Sequence, residues 1–262
     1  MTLSNDQLEI KQLLDSKSRQ YNHLDLIDSD PIQIPHRFSS KEDIEIAGLF
    51  TATISWGQRK SIIKNADSLM DLMDNSPYDF IMNADVNDKE AIISFVHRTF
   101  NGTDCLFFLE SLKNIYLHHD GLENVFQNGY LLENSIFGSL KYFREVFLSI
   151  PFNKHVTKHI SDVKSNSAAK RLNMFLRWMV RNDKMGVDFG LWKNITTSAL
   201  MLPLDVHTGN VARGLGLLNR TQNDWKAVEE ITSVLRTFDS SDPIKYDYAL
   251  FSIGVFEGNE YF

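Results

Sequence analysis

The sequence predicts an all-α protein. Three observations carry that expectation. Apolar residues recur at helical spacing through most of the 262 residues, Gly and Pro are sparse at 13 and 6, and no segment alternates apolar and polar residues as a half-buried strand would. The expected architecture is a compact, multi-helix, two-lobed fold of about a dozen helices. Residues 1–262 form one unit with two interlocked lobes, because no flexible linker, internal repeat, low-complexity tract or phosphate-binding glycine loop divides them. A hydrophobic share of 43% suffices for a real core.

The elements follow in order. NDQLEIKQLLDSKSRQYN is the first amphipathic helix. DPIQIPHRF, with Pro31 and Pro35, reads as an extended connector. Ser40, with Asp43 three residues later, opens SSKEDIEIAGLFTATISW as an approximate capping box. Gly57 breaks the pattern, QRKSIIKNADSLMDLMDN resumes it, and Pro77 starts the short SPYDFIMN helix. DKEAIISFVHRTF, TDCLFFLESLKNIYLHH, GLENVFQNG and SIFGSLKYFREVFLSI are read as further helices. NKHVTKHISDV and SAAKRLNMFLRWMVRND form a helical pair across KSNS, residues 164–167. TQNDWKAVEEITSVLRTF and DPIKYDYALFSIGVF close the chain.

Composition narrows the function classes. The single cysteine, Cys105, excludes an intramolecular disulfide and any four-Cys zinc or iron–sulfur site, and its apolar setting makes it a buried small hydrophobe. No apolar run is long enough for a bilayer, and the acidic, amphipathic N-terminus lacks a signal-peptide core, so a cytoplasmic protein without membrane contact is expected. Net charge is −7, yet residues 141–220 carry +8 and the remainder −15. A basic block inside an acidic chain points to a nucleic acid partner, and a solvated basic face is the plainer alternative.

Asp205 is the pivot of the functional reading. In PLDVHTGNVARGLGLL, residues 203–218, it follows a proline-led approach and opens a short helix that carries His207 in its first turn and Arg213 further on. As an N-cap it accepts from free first-turn N–H groups, in the place where the helix dipole favours an anion. Lys170 opens another helix after three small residues, Ser167, Ala168 and Ala169. That helix is expected to bury Leu172, Phe175, Leu176 and Met179. A lysine beside an apolar region can act as a nucleophile, and an ordinary exposed amine is the bland alternative.

LPLDVHTGNVARGLGLL resembles the Pro-Val-Asp-x-His-x-x-Arg-Val-x-x-Arg-Leu-Gly-Leu segment of the helix-hairpin-helix DNA glycosylase superfamily. Asp205 matches its catalytic carboxylate, His207 its histidine, and Arg213, Leu215 and Gly216 its tail. KYDYALFSIGV resembles the late Ala-Leu-x-x-x-Gly helix, and DVKSNSAAKRLNMFLRWMV the hairpin and the helix bearing the lysine of bifunctional members. The similarity spans residues 155–255. KSNS replaces the hairpin glycines, and Lys170 and Asp205 stand 35 residues apart. The archaeal 8-oxoguanine glycosylase branch, with its longer insert and different hairpin, is therefore the nearer comparison. The whole chain also resembles an uncharacterised bacterial family catalogued as a domain of unknown function.

The resemblance implies base excision repair: a DNA glycosylase with lyase activity on an oxidised purine such as 8-oxoguanine, acting on damaged duplex DNA. Lys170 would attack the sugar and Asp205 would stabilise its developing positive charge. His207, Arg213, Arg171 and Arg177 are the candidate phosphate contacts, with Arg181 beside them. Trp56, Gln58 and Trp192 are the candidates for base recognition. No cofactor and no metal are expected. The His118–His119 pair lacks metal-site spacing, and HVTKH has no glutamate between His155 and His159 and reads as a surface pair. A non-enzymatic DNA- or RNA-binding module retaining the fold is the alternative, and an α-helical interaction protein the third reading. The glycosylase reading requires the Lys170 amine and the Asp205 carboxylate within a few Å in one basic cleft. More than about 10 Å would keep them from sharing one sugar.

Overall fold

Helix α2 (Lys41–Ile54) shows how the sequence dictates this fold. Ser40 caps it by accepting from the Asp43 N–H at 3.2 Å, and every residue from Ile44 to Ile54 is buried. A helix buried on all sides needs neighbours on all sides. In the computed structural model, which describes residues 3–258, α2 packs against α3 (Arg59–Asp71) and α4 (Pro77–Asn83). Among the described residues there are twelve α-helices, so the all-α expectation holds. None is long and apolar enough to cross a membrane.

The chain divides into two compact units. One comprises Ile27–Asp162 and is continuous. It holds α2 to α4, α5 (Val86–Ile93), α6 (Gly102–His118), α7 (Gly121–Glu133) and α8 (Ile136–Phe147). Phe100, Phe108, Phe126, Phe143 and Phe147 form its aromatic core, with Phe108 and Phe147 centroids 4.7 Å apart. Between α5 and α6 a minimal hairpin pairs β1 (Val96–His97) with β2 (Phe100–Asn101), His97 facing Phe100 in register. This corrects the helical reading of DKEAIISFVHRTF beyond Ile93, where α5 ends. Arg98, at φ 55°, turns the chain there.

The other unit joins Met1–Leu26 to Val163–Phe262. It contains α1 (Asn5–Tyr21), α9 (Lys170–Val180), α10 (Val206–Gly214), α11 (Trp225–Phe238) and α12 (Tyr246–Ser252). α1 lies along α12, where the Ser18 hydroxyl donates to the Lys245 carbonyl at 3.0 Å and Lys245 reaches Asp15 at 3.2 Å. α9 buries Leu172, Phe175, Leu176 and Met179, as its spacing requires. After α12 the chain loosens into a π-helical turn, Ile253–Glu257, packed on α10. There the Gly254 Cα is so close that an added Cβ would stand 3.1 Å from Val211 and 3.2 Å from the His207 Cβ.

Two further expectations are corrected. DPIQIPHRF is not extended: Pro31–Gln33 and Pro35–Arg37 are 3₁₀ turns. A proline's fixed φ suits a 3₁₀ turn as well as an extended chain. The segment before KSNS is likewise a 3₁₀ helix, Lys154–His159, not an α-helix, so no helical pair flanks that turn.

Candidate functional site

The site starts from the two ends of one carboxylate. Asp205 is the N-cap of α10, and its Oδ1 accepts from the Thr208 N–H at 3.0 Å. Its Oδ2 lies 3.9 Å from Lys170 Nζ. Both side chains are partly open, 28% exposed for Lys170 and 22% for Asp205, so a solute can reach a pair that is still mostly shielded. The amine also stands 3.7 Å from Met174 Sδ, one turn along α9.

Backbone geometry fixes each partner. Ala169, the residue before Lys170, takes the left-handed region at φ 47° and is buried. The turn leading to it also holds Asn166 left-handed, at φ 63°. Asn166 is tied down twice: its carbonyl accepts from the Trp225 N–H at 3.1 Å, and its amide donates to Asp224 at 2.8 Å. Asp224 also caps α11 and pairs with Arg220, which holds its carboxyl down at about 2. On the other side, the Asn223 amide donates to the Asp205 carbonyl at 2.9 Å. Arg213 in turn donates to Asn223 Oδ1 at 2.5 Å and to the Arg220 carbonyl at 2.8 Å. Arg213 thus braces the loop that holds Asp205.

A second, buried carboxylate lies within electrostatic reach. Burial raises the Asp247 carboxyl to about 6, the Asp205 charge adds to the rise, and Arg177 and Lys170 oppose it. Arg177 is hydrogen-bonded to Asp247 and, at 3.2 Å, to Asp188. Arg181, 2% exposed, joins Asp188 at 2.9 Å and Asp242 at 2.9 Å. Burial pulls its guanidinium down, but Asp188 and Asp242 outweigh this and hold it well above its ordinary value. Tyr248 lies under both guanidinium groups and donates to Asp188 at 2.8 Å.

These placements divide the expected site residues. Lys170 and Asp205 come together. Arg177 is enclosed in the Asp188–Asp247 network and is turned to support, not to a phosphate. Arg171 is half-buried, and that burial lowers its guanidinium. His207 is exposed in the first turn of α10. Trp192 is 1% exposed and packs edge-on against Phe175 at 5.4 Å, a core position without a free face for a base. Trp56 and Gln58 belong to the other unit. Trp56 is half-buried against His97 and His159, and Gln58 is exposed at the start of α3. Cys105 is buried, and its thiol is pushed up by that burial.

The sequence reading missed Asp247 and Asn223. Asp247 carried a signal: it is an acid between the buried Tyr246 and the buried Ala249 and Leu250 on one short helix. The surface reading of HVTKH holds for His155, which is exposed, and fails for His159. His159 is 4% exposed and lies 3.2 Å from the buried Asp104, which His155 contacts at 2.8 Å.

Among known proteins, one family matches residues 30–256, and it is described as "Protein of unknown function (DUF2400)". No curated protein and no solved structure matches the chain.

Proposed function

Because the chain belongs to DUF2400, whose description names no activity, we propose a function from its own residues: a DNA glycosylase with abasic-site lyase activity, directed at an oxidised purine and built on the helix-hairpin-helix glycosylase plan. The observation that supports it is the 3.9 Å approach of Lys170 Nζ to Asp205 Oδ2, across 35 residues of sequence.

In this reading damaged duplex DNA delivers a flipped nucleotide to the pair. The free amine of Lys170 attacks C1′ as the bond to the base breaks, and the base leaves with the bonding electrons. Asp205 faces the positive charge that builds on the sugar and accepts the proton the amine sheds. Asp205 returns that proton to the ring oxygen as the sugar opens to a Schiff base on Lys170, and then takes the C2′ proton as the C3′–O bond breaks and the 3′ phosphate leaves. The capped Oδ1 keeps the carboxylate aimed during these steps. Arg171 and His207 are the remaining candidates for phosphate contact.

The alternative is a nucleic-acid-binding module, for DNA or RNA, without chemistry. The turn at 163–169 favours it, since it has no glycine to bring the backbone close to a phosphate. Borohydride trapping decides. The protein is incubated with an 8-oxoguanine duplex and with an abasic duplex, and Lys170→Ala is run alongside. A covalent band on the lesion duplex, lost in the variant, is the expected result. Bands unchanged by Lys170→Ala, or no band together with tight binding to the same duplexes, would replace the enzyme with the binding module.

A further inference from the structure

The unit formed by Ile27–Asp162 holds a second cluster, independent of the Lys170 site. Asp104, in the first turn of α6, is 3% exposed. A buried carboxylate needs a compensating positive charge. Two imidazoles face it. His155 Nδ1 is 2.8 Å from Oδ1, and His159 Nε2 is 3.2 Å from Oδ2. The three donor atoms all lie within 4.8 Å of one another. Around a single zinc-sized ion with bonds of about 2.0–2.2 Å, tetrahedral ligand atoms stand about 3.3 Å apart, so small movements would close the set.

We propose that Asp104, His155 and His159 bind one divalent transition-metal ion of the zinc class. The donors are the types such ions prefer, two imidazoles and a carboxylate, and three protein ligands leave a position for water or another ligand. The surroundings orient them. Asp104 Oδ2 accepts from the Asn101 N–H at 3.0 Å. The His159 ring is held edge-on by Phe100 at 4.9 Å and stacked by Trp56 at 6.1 Å. His155 sits where Asn153 caps its 3₁₀ turn, the side chain accepting from the His155 N–H at 3.0 Å. Such fixed outer contacts are what hold a metal's ligands in register. Asp104 and His155 also line a cavity of about 640 Å³, together with Phe107, Phe152 and Val156, which gives an ion and its free position access.

The test uses the full chain, stripped with a chelator and titrated with Co²⁺ and then Zn²⁺. One equivalent of Co²⁺ with visible absorption, displaced stoichiometrically by Zn²⁺, is expected, along with a rise in melting temperature on Zn²⁺ addition. His155→Ala alters a half-exposed residue and should leave the fold intact while weakening binding at least about 100-fold. Asp104→Asn keeps size and removes the charge, and should do the same. Absence of stoichiometric binding by the wild type, or binding unchanged in both variants, would overturn the proposal. Neither result bears on borohydride trapping at Lys170.

Discussion

The two carboxylate oxygens of Asp205 face different partners: Oδ2 stands 3.9 Å from the Lys170 amine, and Oδ1 accepts from Thr208 at the head of α10. The cap and the candidate catalyst are therefore the same group. A helix end, a rigid element in itself, sets where the charge can be. The two duties can be separated by substitution, because asparagine caps a helix as well as aspartate and cannot carry its charge.

Asp205→Asn is expected to leave stability within about 0.5 kcal/mol of wild type, and Asp205→Ala to lose about 1 kcal/mol with the cap. Single-turnover excision and trapping should fall at least about 100-fold in both. Urea denaturation reads the first effect and gel analysis the second. A fully active Asp205→Asn would leave this residue as a cap alone.

Asp247 gives the protein a pH signature. Its carboxyl rises from 3.8 in the unfolded chain to about 6 in the fold, so the folded state holds the extra proton between those values. Its contribution to stability is therefore complete below about pH 4 and is lost as pH rises through about 6. Asp247→Asn, which cannot ionise, should abolish that slope. Urea midpoints from pH 4 to 7 for both proteins check it, and parallel curves would contradict the raised value.

Asp224 should show the opposite sign. Arg220 holds its carboxyl at about 2, against 3.8 unfolded, so its contribution is complete above about 4 and disappears as pH falls towards 2. Asp224→Ala removes the α11 cap and the tie to Asn166 and is expected to lose about 1–2 kcal/mol at pH 7. Acid titrations followed by circular dichroism should converge for the two proteins near pH 2.

Arg181 links Asp183, Asp188 and Asp242 while almost wholly buried. Arg181→Met fills similar space and leaves those carboxylates short of a partner. A loss of about 3–5 kcal/mol is expected, the usual result of breaking a buried ion pair from one side. Denaturant unfolding would show it, and a loss below about 1 kcal/mol would mean that solvent takes over the arginine's role.

The helices were legible where a cap and a period agreed. Ser40 and Asp205 each stand before a run of apolar residues at helical spacing, and each is an N-cap in the structure. The β1–β2 hairpin was not legible, because two residues per strand cannot display a period of two. The prolines at 31 and 35 announced a break in the chain but not which kind. At the candidate site, Lys170 and Asp205 could be named individually, while their approach depends on how residues 171–204 fold back. Arg177 and Trp192 show the limit of residue type: the sequence marks a cation and an aromatic ring, and burial assigns one to a carboxylate network and the other to the core. Asp104, 51 residues before His155, could not have been joined to HVTKH by spacing at all.

The bare backbone at Gly254 governs more than its own turn. Because it stands where even a methyl group would press on Val211 and His207, the separation between the turn Ile253–Glu257 and α10 has little slack. α10 carries Asp205 at its head, so a displacement of a few tenths of an ångström at Gly254 is passed along a rigid rod to the carboxylate. The residue with no side chain is in this sense the gauge of the site: it sets the clearance, and the acid 49 positions earlier inherits it.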